Sequence, residues 1–311
     1  MIHSYCKFVK NPALSSYLLC YLKHNNSLFT GVCANNKQRL CVTPVSTRSL
    51  STEPKSDYLD VDGVKLHYVK FGHGEHPLLL MPGALGSALS DFGPQLNGGF
   101  DPETYTVIGW DPSGYGKSRP PKRTFPLDFF QRDANHAHNL MQSLGYEKFS
   151  PLGWSDGGIT ALVLASQYPE SLRKLVIWGA NAFVAQEDLD MYEKTKNVSD
   201  WSKRMMQPML DMYGKEYFQE MWLGWIECIT RIYNENKGEL CTRNLHKIRC
   251  PTLVLHGEKD PMVPKIHPGF LQQNIMGSRL IHFLDGKHNI HLRYAEQFNR
   301  HVDIFLRKEN V

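Results

Sequence analysis

The residues Leu152-Gly153-Trp154-Ser155-Asp156-Gly157-Gly158 contain the pattern G-x-S-x-G. These residue types suit nucleophilic attack on a carbonyl. The two glycines allow a strand-to-helix turn so tight that the serine stands proud of a sheet. A helix that begins just after the serine aims its first amides at the reacting centre, where they favour developing negative charge. Taken alone, the pattern also fits a glycine-rich turn with an incidental serine, so its partners decide.

A serine hydroxyl is a poor nucleophile at neutral pH. It needs a base within hydrogen-bond reach, and the base needs an acid to fix its tautomer and stabilise its charged form. Where a serine sits on such an elbow, the chain order is serine, acid, histidine. Thr252-Leu253-Val254-Leu255 reads as a strand, and the polar, proline-rich turn after it holds Asp260. Leu280 to Leu284 reads as the last strand, and Asp285-Gly286-Lys287-His288 follows it. Ser155, Asp260 and His288 are therefore the expected triad. Glu258 competes for the acid and His256 and His291 for the base, each read as structural. A turn one strand earlier, Ala180-Asn181, offers no carboxylate. The oxyanion of a tetrahedral intermediate needs two backbone amides. One is expected from Asp156, the residue after the nucleophile. The other is expected from Ala84 in Pro82-Gly83-Ala84-Leu85-Gly86-Ser87, with Leu85 as the alternative. His288 and His291 have no evident third partner for a metal. Neither metal nor organic cofactor is expected, because a triad and two amides suffice for acyl transfer.

The elements that must position these groups alternate along the chain. Tyr58 to Val61 and Val64 to Phe71 read as a hairpin around Asp62-Gly63. Pro77 to Met81, Thr104 to Trp110, Lys148 to Leu152 and Leu175 to Trp178 read as further strands. Phe125 to Leu144 after its first residues, Ile159 to Tyr168 and Tyr294 to Leu306 read as helices. The expected class is α/β, a mostly parallel sheet with helices on both faces. The core spans 57–180 and 248–311. Between them, 181–247 lacks a convincing strand but is rich in Met, Trp and Tyr at helical spacing, including Trp222 and Trp225. It is read as a helical lid over a soft apolar pocket, although for any single residue such a stripe more often marks core.

The first fifty residues differ from the rest. They hold six Lys or Arg and no Asp or Glu, with many Ser, Thr and Asn. An acid-free, basic, hydroxyl-rich leader reads as a mitochondrial transit peptide, with cleavage expected after Leu50. A disordered tail without an address is the alternative. The leader explains the charge. The whole chain is +4, whereas the part after residue 50 has 29 basic and 31 acidic residues, a net −2. The basic balance thus does not signal a nucleic-acid surface. Four of seven cysteines lie in the leader, and Cys228, Cys241 and Cys250 have neither even number nor C-x-x-C spacing, so free thiols are expected. No apolar run approaches the ~20 residues that span a bilayer. A monomer is expected.

From Asp57 onward the chain resembles the α/β-hydrolase family, and more narrowly its biphenyl hydrolase-like subgroup. The motifs that carry this are Pro82 to Ser87, Asp111-Pro112-Ser113-Gly114-Tyr115-Gly116-Lys117-Ser118-Arg119-Pro120-Pro121, Gly153 to Thr160, Trp178-Gly179-Ala180-Asn181-Ala182, His256-Gly257-Glu258-Lys259-Asp260-Pro261 and Gly286-Lys287-His288-Asn289. Two positions depart from the family: Ser113, where Arg is usual, and Pro151, which lacks a ladder amide in the elbow strand. The resemblance implies a serine hydrolase that cleaves esters of α-amino acids. Asp156 gives that a physical reason. A carboxylate beside the oxyanion opposes its charge unless the substrate brings a cation, and an α-ammonium next to the scissile carbonyl would pair with it. The other reading of Asp156 is a helix cap. A carbon–carbon bond hydrolase of ring-cleavage products shares fold and triad order, but its dienoate carboxylate would meet a negative Asp156. A catalytically silent binding protein would not need Ser155, Asp260 and His288 together. Dehalogenases and epoxide hydrolases need a carboxylate where Ser155 stands.

Overall fold

The computed structural model describes residues 53–308, so the leader expected over 1–50 lies outside the described residues. One eight-stranded sheet organises them, with strands β1 (Lys55–Val61), β2 (Val64–Gly72), β3 (His76–Met81), β4 (Tyr105–Trp110), β5 (Ser150–Trp154), β6 (Leu175–Trp178), β7 (Thr252–Gly257) and β8 (Arg279–Phe283). Their spatial order is β1-β2-β4-β3-β5-β6-β7-β8. The first two pairings, β1 with β2 and β2 with β4, are antiparallel, and all later pairings are parallel. Asp62 and Gly63, both at positive φ, close the first hairpin with Val61 opposite Val64, as a two-residue turn of this type requires.

The helices are α1 (Ala88–Asp91), α2 (Phe129–Ser143), α3 (Asp156–Gln167), α4 (Gln186–Glu193), α5 (Lys203–Tyr213), α6 (Lys215–Asn236), α7 (Ile266–Asn274), α8 (Ile290–Arg293) and α9 (Ala295–Arg307). Side chains alternate across the sheet, as period-two strands must. Leu79, Met81 and Ile108 join the apolar layer of α2, α3 and α7, while Leu78, Leu80 and Val107 join that of α1 and α9. Both faces are covered, which accounts for the unbroken apolar run in β3. Helices α1, α7 and α8 and the stretch of β5 beyond Leu152 add to the elements expected from the sequence. Gly153 and Trp154 in fact continue the ladder, opposite Met81 and Trp178. Pro151 stands in this central strand opposite Leu79.

The chain from β6 to β7 holds α4, α5 and α6 and no named strand, only an isolated bridge between Phe183 and Glu239. Much of its aromatic content is its own core. Trp222 stacks on Trp225 with ring centroids 4.8 Å apart, and Trp201 packs edge-on against Trp222 and Phe218. Met205 is exposed and Met206, Met209 and Met212 are only half-buried. Among the described residues no helix is long and apolar enough to cross a membrane.

The last helix is fastened by one cation. The buried Lys174 amine donates to the carbonyls of Phe305 at 2.9 Å, Leu306 at 3.0 Å and Lys308. It thereby satisfies the free carbonyls at the C-terminal end of α9 and complements the helix dipole. Lys174→Met should lower stability by about 2 kcal/mol, seen as a lower urea midpoint, with kcat unchanged in the folded fraction. An unchanged midpoint would mean that water replaces the amine without cost.

Candidate active site

Four turns at the carboxyl ends of β3, β5, β7 and β8 converge, the usual location of a site in an open parallel sheet. Ser155 follows β5 with φ 54° and ψ −121°, a conformation that side-chain-bearing residues rarely adopt and that lifts the hydroxyl off the sheet. The flanking glycines are required by contact. A Cβ on Gly153 would lie 2.3 Å from the Gly157 carbonyl oxygen, and one on Gly157 would lie 2.0 Å from that of Met81. Helix α3 begins at once, with the amides of Gly158 and Ile159 bonded back to the Ser155 carbonyl at 2.8 and 3.1 Å.

The expected acid and base meet. His288 Nδ1 lies 2.9 Å from Asp260 Oδ2. The other oxygen, Oδ1, accepts the amides of Met262 at 2.8 Å and Val263 at 3.1 Å. With its carboxylate 1% exposed, burial alone would raise the Asp260 pKa. The charge and hydrogen bond of His288 and the Met262 amide outweigh that and hold it below the ordinary range. A carboxylate that stays charged keeps the His288 proton on Nδ1 and leaves Nε2 as the acceptor. Two contacts fix the histidine. The Trp154 indole donates to the His288 carbonyl at 2.9 Å. Gly179, at φ 55°, presses so close that an added Cβ would sit 3.0 Å from His288 Nδ1 and Cε1. Neither Trp154 nor Gly179 was singled out from the sequence for this role, although Gly179 follows a strand that ends beside the elbow.

The rival residues have other partners. His291 is fully buried, accepts from Trp178 Nε1 and bonds the Asp91 carbonyl through Nε2, both at 2.9 Å. Burial pushes its pKa down to about 3, so it stays neutral. His256 is buried inside β7, and burial lowers its pKa too. Glu258 pairs with Lys265 at 2.7 Å and with His282.

The Pro82–Ser87 loop lies against the nucleophile. A Cβ on Gly83 would be 3.4 Å from that of Ser155. The Gly83 amide donates to Asp91 Oδ2 at 3.0 Å, and Gly86 closes a turn onto the Gly83 carbonyl at 3.0 Å. No acceptor among the described residues takes the Ala84 amide. Asp91, which the sequence reading did not consider, is fully buried. Burial raises its pKa to about 7, against the opposing bonds from Ser90 and Gly83.

Asp156 opens α3, but its carboxylate does not cap that helix. Trp225 Nε1 of α6 donates to Oδ2 at 2.7 Å. No other group among the described residues donates to this carboxylate, and it forms no ion pair there. Burial raises its pKa to about 7, although the bond from Trp225 and the charge of Arg123 pull the other way. Arg123 is committed elsewhere, held to both oxygens of Asp133 at 3.0 and 2.5 Å and to the Ser113 carbonyl at 3.0 Å. A cavity of about 10 Å³ between Asp156, Arg123, Asp133, Tyr115 and Gly83 has room for about one water.

This elbow, with an acid and a histidine from later strands meeting beside it on a mostly parallel sheet, is the arrangement of one fold family. Residues 76–208 match the model of the alpha/beta hydrolase fold. A mouse protein named serine hydrolase BPHL is 48% identical over 87% of this chain and 93% of its own. The human serine hydrolase BPHL is 47% identical over 83% and 88%. The chain belongs to the α/β-hydrolase family. Among solved structures, a meta-cleavage product hydrolase from Pseudomonas fluorescens superimposes with TM-score 0.68 at 21% identity, over 82% of this chain and 98% of its own, a likeness of fold. With relatives this similar across nearly the full length, the protein is a serine hydrolase of the α/β fold. No group of three or more His, Cys, Asp or Glu side chains that could hold a metal ion occurs among the described residues.

Proposed function

We propose that this serine hydrolase cleaves carboxylic esters of α-amino acids through an acyl-enzyme, and that Asp156 reads the substrate's ammonium. Ser155 Oγ attacks the ester carbonyl while His288 Nε2 takes its proton, and Asp260 stabilises the imidazolium. The amides of Ala84 and Asp156 receive the oxyanion. Collapse expels the alcohol, which takes the proton from His288. Water then attacks the acyl carbon, gives its proton to His288, and the carboxylic acid leaves with Ser155 Oγ reprotonated. Thiolactones of amino acids offer the same activated carbonyl beside the same cation.

The observation that carries the substrate class is the Asp156 carboxylate. It is buried beside the nucleophile and bonded on one oxygen by Trp225, and among the described residues it forms no ion pair, the nearby Arg123 being held by Asp133. A buried carboxylate without a counter-ion is costly, and an arriving ammonium supplies one. On this reading the helices from α4 to α6 act as a lid, since Trp225 of α6 holds the Asp156 carboxylate. A more distant relative, the 2-hydroxy-6-oxo-6-phenylhexa-2,4-dienoate hydrolase of Comamonas testosteroni, is 27% identical over 86% of this chain. Its dienoate carries a carboxylate, which Asp156 would repel. The deciding measurement is kcat/KM on two esters of one alcohol, with the α-amino group free or acetylated. A strong preference for the free amine that Asp156→Ala erases supports the proposal. Equal rates on both esters in the wild type overturn it.

A further inference from the structure

The loop that carries the Ala84 amide is held from two sides. On the core side Asp91 takes the Gly83 amide. On the other side stands Tyr213, the last residue of α5. Its hydroxyl donates to the Leu85 carbonyl at 2.7 Å and accepts the Gly116 amide at 2.9 Å. Tyr213 and Leu85 are both buried. Leu85 has φ 60°, a left-handed conformation that a residue with a branched side chain keeps only where its surroundings enforce it. The Tyr213 ring lies under the Arg119 guanidinium, 4.7 Å away. Arg119 in turn bonds the carbonyls of Met212 and Gly116, each at 2.8 Å. A strained turn next to the nucleophile is thus pinned by a helix that comes from the β6–β7 insertion.

We infer that Tyr213 is a positioning residue, through whose hydroxyl the inserted helices set the turn that presents the Ala84 amide to the oxyanion. This rests on the oxyanion role proposed above for that amide. Seating α5 and completing the oxyanion hole then become one event, so a substrate meets full catalytic power only under the closed insertion. A tie with a purely structural role would cost stability and leave the chemical step alone. A tie that shapes the hole must show itself where negative charge develops.

The full chain carrying Tyr213→Phe separates these cases, because it removes one oxygen and keeps the ring under Arg119. On the free-amine ester kcat should fall about 10- to 100-fold, less than or equal to the loss of a whole oxyanion donor. KM should stay within about twofold. The preference for free over acetylated amine should not change, since Asp156 is untouched. A trifluoromethyl ketone analogue of the substrate, whose hemiketal oxygen occupies the hole, should bind more weakly in proportion to the loss in kcat. Unchanged kcat in a folded variant, a change in KM alone, or undiminished affinity for the ketone would overturn the inference. Should Tyr213→Phe fail to fold, Arg119→Gln takes its place, as that side chain lies at the surface. It should lower kcat about threefold at constant KM, by the same logic, and no change in kcat would count against the role. Wild type that ignores the ketone, or Ser155→Ala that keeps its activity, would instead sink the serine mechanism itself.

Discussion

Ser155→Ala should lower kcat/KM on an amino acid ester by about 10⁶-fold, and Asp260→Asn by about 10⁴-fold. The two losses have different origins. Alanine removes the attacking atom and leaves only binding and the amides. Asparagine acts through geometry that is visible here. Asp260 Oδ1 accepts two backbone amides, from Met262 and Val263, and an NH2 group cannot face them. The amide oxygen must therefore stay on that side and the NH2 must turn to His288. It then donates to Nδ1, which becomes an acceptor, and the histidine proton moves to Nε2, where it blocks proton transfer from Ser155. Steady-state rates with circular dichroism as a check on folding suffice to test this. Asp260→Asn retaining a tenth of wild-type activity would mean that the acid is elsewhere, and Glu258 would then need testing.

The second large effect is a trade of activity against stability at Asp156. Asp156→Asn keeps the shape and an acceptor for Trp225 but loses the charge. Activity on the free-amine ester should drop about 100-fold, the size of a charged hydrogen bond in a dry site. Activity on the acetylated ester should hold or rise. Stability should move the opposite way. The folded pKa is raised to about 7, above the ordinary value of about 3.9 for the unfolded chain. The stabilisation that comes from holding the proton is fully present below about pH 4 and is lost as pH rises through 7. Asparagine never ionises, so its advantage grows between about pH 4 and 7 and then levels off at roughly 4 kcal/mol at most. Melting temperatures of both proteins at pH 5 and pH 8 give the answer. A gap that does not widen at the higher pH would show that Asp156 is charged at no cost, and that a cation already serves it.

Much of this was legible in the chain because the relevant signals are local. Gly153 and Gly157 report a contact so close that no other residue fits, and the spacing around Ser155 follows from it. The apolar runs of β3 and β6 report burial on both faces. Asp260 and His288 could be picked from several candidates because each follows a strand, and the order of strands fixes which turns reach the same end of the sheet. His291 and His256 lost that contest in the sequence and are buried in the fold, where burial lowers the pKa of each.

Other features are decided only when distant segments meet. Nothing near Asp156 in the chain says whether it caps α3 or faces a ligand. What keeps its carboxylate from capping α3 is Trp225, 69 residues later, whose indole donates to one carboxylate oxygen. The stripe of Met and Trp in 181–247 has helical spacing throughout. Periodicity cannot tell Trp201, which packs on Trp222 and Phe218, from Trp225, which stacks on Trp222 and also reaches Asp156. Asp91 and Tyr213 carry no motif, and they matter because one folds beneath the Gly83 amide and the other lands on the Leu85 carbonyl. Spacing and burial act over short stretches, so the chain alone was enough to expect the elbow at Ser155, the turns holding Asp260 and His288, and the parallel sheet. Hydrogen bonds and desolvation depend on neighbours in space, so only the fold shows that the buried Asp156 carboxylate bonds Trp225 and forms no ion pair among the described residues, and that α5 is tied to the Leu85 carbonyl.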